Sequence, residues 1–167
     1  TTRPTTDDFG ATMQLVAASD GELSVRGTTS GPLAKGVSGR LTGWSNNHNG
    51  FVENLGPHED IGYQRSTGAR GKLLFEPSED ISFLFSADFA RLRTNGQFVM
   101  ETVFDLPASG LKQADAIAPV VASPENDRVN VNSNPFSLTT QWGTSGTLNW
   151  RLTDNLDLVS ITSFRDN

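Results

Sequence analysis

The residues best suited to chemistry in this chain are four cations, Arg40, Arg70, Lys72 and Arg151, together with the acids Glu76 and Asp88. Each falls on the polar side of an alternating segment. Cations gathered on one surface attract anions, so they could guide an anionic ligand, and more commonly they pair with carboxylates such as Glu76 or Asp88. His48 and the run His58-Glu59-Asp60 are of metal-ligating types. With no second histidine at ligand spacing they read as solvated loop residues, and no metal is expected. A glycine-rich phosphate loop and a Ser-His-acid arrangement are both missing. The acids Glu79 and Asp80 are adjacent in a turn and read as turn chemistry. No catalytic residue and no cofactor are therefore expected, and an enzyme is disfavoured.

The element that must position the cations is residues 66–91. At period two, Thr67, Ala69, Gly71, Leu73 and Phe75 fall on one side, with Ser66, Gly68, Arg70, Lys72 and Glu76 on the other. Leu74 is the one residue out of place. After Pro77-Ser78-Glu79-Asp80 the alternation resumes, with Ile81, Phe83, Phe85, Ala87 and Phe89 opposite Ser82, Ser86 and Asp88. Successive strand side chains point to opposite faces, so this is a hairpin with one oily and one charged surface. Either the charged side faces bulk water on a soluble sheet, or the oily side faces lipid and the charged side a wet lumen.

Recurrence of the hairpin decides between these. Residues 148–164 repeat residues 73–89 at constant offset: Leu148 stands for Leu73, Trp150 for Phe75, Asp154 for Glu79, Leu158 for Phe83 and Phe164 for Phe89. A weaker copy runs from Gly31 to Leu41. All three hairpins are expected to have turns of about four residues, whereas the connections between hairpins, near 46–64 and 92–143, are long. Short turns at one end and long loops at the other describe a transmembrane β-barrel, and a soluble sheet has no reason to segregate loop length. In that frame Leu73, Phe75, Phe83, Phe85, Leu148 and Trp150 face lipid, while Arg40, Arg70, Lys72, Asp88 and Arg151 face the lumen. Phe75 and Trp150 at one end, and Phe89 and Phe164 at the other, suit aromatic girdles across a band of about 25 Å. A soluble β-sandwich that packs these rings as its core, serving as a ligand-binding module, is the alternative.

Composition agrees with an all-β chain. It has 16 glycines and 10 phenylalanines in 167 residues, and no cysteine for disulfides or thiolate metal sites. A net charge of −6 argues against a nucleic-acid partner. No run approaches the ~18 apolar residues of a membrane helix, but a spanning strand needs only about 9–11 residues of alternating pattern. Strands are expected at 9–18, 23–31 and 37–45, in the two arms of 66–91, and at 146–152 and 156–165. Seven strands are fewer than the eight or so of a small finished barrel, and an open sheet edge cannot persist in lipid. The expected fold is thus an antiparallel up-and-down transmembrane β-barrel, here an incomplete segment of a longer parent. Thr1 opens without a methionine or a signal peptide, in keeping with an excised piece.

The stretch 92–143, with prolines at 107, 119, 124 and 135, is expected to be an extracellular loop, with a possible helical turn or two near 109–118. Its apolar Phe98, Met100 and Phe104 are ligand candidates, and Phe51 and Leu55 of the loop at 46–64 offer it a partner surface.

Three stretches carry a likeness to a known family. They are Thr2-Arg3-Pro4-Thr5-Thr6-Asp7-Asp8-Phe9; Arg26-Gly27 through Ser30-Gly31-Pro32-Leu33 with Arg40-Leu41 and Gly50-Phe51-Val52-Glu53-Asn54; and Gly71-Lys72-Leu73-Leu74-Phe75-Glu76-Pro77 with Leu158 through Asp166. In order and spacing they resemble TonB-dependent outer-membrane receptors over nearly the whole chain outside 92–140. The resemblance implies that residues 1–8 are the linker from a plug domain and 9–167 the N-terminal part of a 22-stranded barrel. It implies a bacterial outer-membrane transporter that binds and imports a scarce nutrient, such as a siderophore carrying iron, cobalamin or an oligosaccharide. Its partners would be outer-membrane lipid, the plug of the same parent and the inner-membrane TonB complex. A porin or adhesin barrel without TonB coupling is the neighbouring alternative.

Overall fold

A computed structural model describes residues 3–19, 21–95, 118–121, 123, 125–133 and 136–167. Seven long strands follow the period-two segments: β1 (Gly10–Ala17), β2 (Leu23–Ala34), β3 (Val37–His48), β5 (Gln64–Ser78), β6 (Ile81–Thr94), β8 (Ser137–Thr153) and β9 (Leu156–Asp166). Two short strands, β4 (Glu53–Asn54) and β7 (Arg128–Val129), lie in the long connections. The long strands form one antiparallel sheet in the order β1-β2-β3-β5-β6-β8-β9, each beside its neighbour in sequence. The sheet is open, with β1 and β9 at its edges. The all-β, up-and-down antiparallel expectation holds in this sheet.

The strands run farther than the alternation suggested. β3 continues through Asn46, Asn47 and His48 because β5 begins at Gln64, which pairs with His48. Likewise β8 begins at Ser137 and not near Gly146, since β6 extends to Thr94 and offers it a full ladder. Residues 137–145 alternate weakly in sequence, and only their partner makes them a strand. The possible helical turn near 109–118 lies almost wholly outside the described residues.

The turns at the tight end are shorter than expected. Pairing continues to Ala34 with Val37, Ser78 with Ile81 and Thr153 with Leu156, which leaves two residues in each turn. Each ladder has a register irregularity just before its turn, between Pro32 and Ala34, Phe75 and Ser78, and Arg151 and Thr153. That offset made the turns look longer. Gly36 has φ +70°, and an added Cβ would sit 2.5 Å from the Glu76 carbonyl oxygen, so an L side chain is opposed by both backbone and neighbour.

At the opposite end the two long connections are joined. β4 and β7 pair in parallel, with the Glu53 amide donating to Asp127 O and the Leu55 amide to Val129 O, both at 2.8 Å. Asn54 fastens this junction. Its Oδ1 accepts from the amides of Gly56 and Val131 at 3.0 Å each, and its Nδ2 donates to Val131 O at 3.2 Å. Its own amide donates to the Asp60 carboxylate at 3.0 Å. Asn95 plays the same part beside it: Oδ1 accepts from the Gly62 and Tyr63 amides at 3.0 and 2.9 Å, and Nδ2 donates to Asp60 O at 3.0 Å. Ile61, Tyr63 and Val129, which belong to this junction, are buried, as is Val120. The two connections meet here through backbone and buried asparagines; the expected packing of Phe98, Met100 and Phe104 on Phe51 and Leu55 lies outside the described residues. Phe51 and Leu55 remain 64% and 39% exposed.

Candidate ligand-binding face

Register assigns every strand residue to one of two faces. Arg40 pairs with Lys72, Thr42 with Arg70 and Arg70 with Asp88, and directly paired residues share a face. Arg26 pairs with Trp44, and Thr12 and Thr28 fall in line with Thr42. Carried across the sheet, one face therefore holds Arg26, Arg40, Arg70, Lys72, Asp88, Arg151 and Arg165 among serines and threonines. The other holds Leu73, Phe75, Phe83, Phe85, Leu148 and Trp150 with Met13, Leu41, Phe89 and Phe164. The two sets read from the sequence thus separate onto opposite faces. Leu74, out of step in the sequence, is on the polar face opposite Ser38 and Leu84, and is 1% exposed.

Exposure is distributed in the reverse of a water-soluble sheet. Met13, Leu41, Leu73, Phe75, Phe83, Phe85, Phe89, Trp142, Trp150 and Phe164 are all exposed on the apolar face. The buried side chains of the sheet among the described residues, Ser30, Ser38, Lys72 and Leu74, are all on the polar face. On the apolar side a groove of about 350 Å³ runs between Leu33, Leu41, Leu73 and Phe85.

The polar face carries a depression of about 560 Å³ lined by Thr12, Arg26, Thr28, Arg40, Thr42, Trp44, Arg70 and Lys72. Four cations enclose it, and no acid is among its lining residues. Asp88 stands at its margin, with its carboxylate 3.4 Å from Arg70 Nη2 and 3.2 Å from Arg165 Nη2. Neither Arg26 nor Arg40 has a carboxylate within ion-pair distance among the described residues. Arg40 stands directly across from Lys72 in the β3–β5 ladder. Thr28 and Thr42 hydroxyls bond at 3.1 Å on the floor. The indole of Trp44 covers Gly68, where a Cβ would collide with it. An added Cβ would also meet the Phe89 carbonyl oxygen at 2.6 Å, so Gly68→Ala is expected to displace both the ring and the β5–β6 backbone and to cost about 1–3 kcal/mol by overpacking. Chemical denaturation checks the cost, and an unchanged midpoint would show that neither the Trp44 ring nor the Phe89 carbonyl requires a glycine here.

Arg151 shares the face but not the depression. It lies at the tight-turn end, 3.4 Å from the Asp80 carboxylate, with its amide bonded to Asp80 O. Arg3 meets Glu76 at 2.9 Å, and the Thr5 amide donates to the Ser30 hydroxyl, so the segment ahead of β1 approaches from the polar side. Arg26 and Trp44 escaped the sequence reading, although the alternation that gave Arg40 also places Trp44 four residues on.

At the loop end, Glu22, Ser24, Asn46, His48, Phe51 and Gln64 line a second hollow of about 440 Å³. The Phe51 ring lies over Gly62, where φ is +93° and a Cβ has no room. His58 Nε2 lies 3.1 Å from Asn132 O, so this imidazole takes part in joining the loops. Phe98, Met100 and Phe104 lie outside the described residues. No family model, curated protein or solved structure matches the chain.

Proposed function

We propose that this chain is part of the barrel wall of a TonB-dependent outer-membrane receptor, which binds and imports a scarce nutrient such as a siderophore, cobalamin or an oligosaccharide. The observation that carries the reading is that large apolar side chains stand exposed along one face while the cations gather on the other. Lipid on the first face and water on the second make both arrangements favourable. A soluble sandwich would need a second layer over the apolar face, and none covers it among the described residues. The free edges of β1 and β9 call for further strands in a bilayer, because unpaired backbone groups are costly there.

In this reading the two-residue turns form the periplasmic rim and the joined loops the outer mouth. The segment at Arg3 and Thr5, docked on the polar side, suits a linker from a plug held inside the barrel. The TonB coupling and the nutrient come from the family resemblance in residues 2–9, 26–54, 71–77 and 158–166. Fractionation of the full-length protein and growth of a deletion strain on iron chelates, cobalamin and oligosaccharides test the proposal. Outer-membrane location with a growth defect on one nutrient is the expected result. A protein that stays soluble without detergent would reject it.

A further inference from the structure

The loop end of the apolar face carries charge where the three strands beneath it carry none. We infer that Arg91 and Arg93, with Arg65 beside them, bind the phosphate of an anionic lipid headgroup in the outward leaflet. The inference rests on the proposal that this face meets lipid. Its alternate positions from Thr67 to Phe75 of β5, from Ile81 to Phe89 of β6 and from Trp142 to Trp150 of β8 hold no charged residue. The next rungs change abruptly. Arg91 pairs with Thr67 and Thr140, and Arg93 pairs with Arg65 and Leu138, which puts all three arginines on the apolar face.

Position and fixation select the ligand. Phe89 and its ladder partner Trp142 close the aromatic band on this side, and Arg91 stands two residues farther out, about 7 Å along the strand. With hydrocarbon against the band, that step ends in the headgroup layer, where a cation costs least and meets phosphate. The Trp142 indole N–H donates to the Asp166 carboxylate at 3.2 Å, as suits a ring at that boundary. Arg93 is held between two rings: its guanidinium carbon lies 4.9 Å from the centre of Phe136 and 5.9 Å from that of Tyr63. The Tyr63 ring also carries Arg65 at 4.6 Å and is itself 2% exposed, which gives both cations a fixed seat. Arg65 is already engaged by the Glu59 carboxylate at 2.7 Å, so it flanks the site. Arg91 and Arg93 meet no carboxylate within ion-pair distance among the described residues. Guanidinium forks match phosphate oxygens in two-point contacts, and the acyl chains extend along exposed Phe89 and Phe85. A free anion lacks that second contact, and an acidic protein segment would have to displace lipid from the face below.

The test uses the full-length protein in dodecyl maltoside micelles, with a trifluoromethyl label on Thr140→Cys, opposite Arg91, and any other cysteine replaced by serine. Fluorine resonance follows titration with dihexanoyl phosphatidic acid, dihexanoyl phosphatidylcholine and inorganic phosphate. Phosphatidic acid is expected to shift the label saturably, at least tenfold more tightly than either of the others, and to weaken as salt rises. Arg91→Gln should weaken it at least fivefold, the double change with Arg93→Gln at least twentyfold, and Arg91→Lys should restore part of the affinity. Arg128→Gln, which removes the same charge from the loop pair with Glu53, should leave it unchanged. Retained circular dichroism separates loss of a contact from loss of the fold. Equal binding of the two lipids, indifference to the double change, or an equal loss in Arg128→Gln overturns the site. Inorganic phosphate binding as tightly as phosphatidic acid overturns the lipid as its occupant. Solubility without detergent would instead overturn the reading of this face as lipid-facing, so the two failures are distinguishable.

Discussion

If the apolar face meets lipid, as proposed, Phe85→Arg is expected to destabilise the protein by about 2–4 kcal/mol, the cost of a cation near mid-bilayer. Phe85 is exposed on the apolar face and pairs with Leu73 and Gly146, several residues from the two-residue turn at Glu79 and Asp80. Its chain neighbour Ser86 is at the same height on the opposite face, across from Lys72. Ser86→Glu should therefore be nearly neutral, because it brings a carboxylate to a cation instead of a charge to hydrocarbon. Unfolding of both variants from lipid vesicles measures the difference. Equal losses at 85 and 86 would mean that the two faces do not meet different solvents.

The second large effect is expected at Asn54, away from the sheet. Its side-chain amide serves the backbone of Gly56 and Val131, and the residue is 8% exposed. Asn54→Ala leaves several of those groups buried without partners, at about 1–3 kcal/mol each, although water admitted by the smaller side chain offsets part of this. A net local loss of about 2–3 kcal/mol corresponds to amide protection falling roughly 30- to 150-fold across the β4–β7 junction. The long strands should keep theirs. The contrast is Glu53→Gln, which removes the 2.8 Å ion pair with Arg128 while both side chains are more than half exposed. Such a pair contributes about 0–1 kcal/mol, so protection should change little. If the two substitutions have the same effect, the junction is held by its surface charges and not by Asn54.

The division between legible and illegible features has a physical cause. The two faces could be read from 66–91 alone, because strand side chains alternate whatever the partner strand is. Thus Arg70, Lys72 and Asp88 separated from Leu73, Phe75, Phe83 and Phe85 without knowledge of register. The start of β8 at Ser137 was hidden, since SLTTQWGTS alternates weakly and becomes a strand only against β6. Turn lengths were misjudged where register irregularities precede the turns. The β4–β7 pairing had no signal, because two-residue strands have no period and their partners are remote in sequence. Nothing in the sequence distinguishes Asn54 and Asn95 from other asparagines. Only the backbone groups converging on them from both connections reveal their role. Trp44 and Arg26 were present in the alternation, but the depression needs three neighbouring strands in register before it exists.

The most direct measurement of the central claim is solvent contact, residue by residue, on the two faces. These 167 residues contain no cysteine, so single cysteines introduced into this segment meet no native thiol within it, and any cysteine elsewhere in the parent is first replaced by serine. Nitroxide labels at positions 72, 73, 85, 86, 88 and 148 of the full-length protein in lipid vesicles can be relaxed by molecular oxygen, which concentrates in hydrocarbon, or by a water-soluble nickel chelate. The account predicts alternation: labels at 73, 85 and 148 respond to oxygen and ignore nickel, whereas those at 72, 86 and 88 respond to nickel. Nickel access at all six positions would contradict the claim that one face of this sheet meets lipid and the other encloses water.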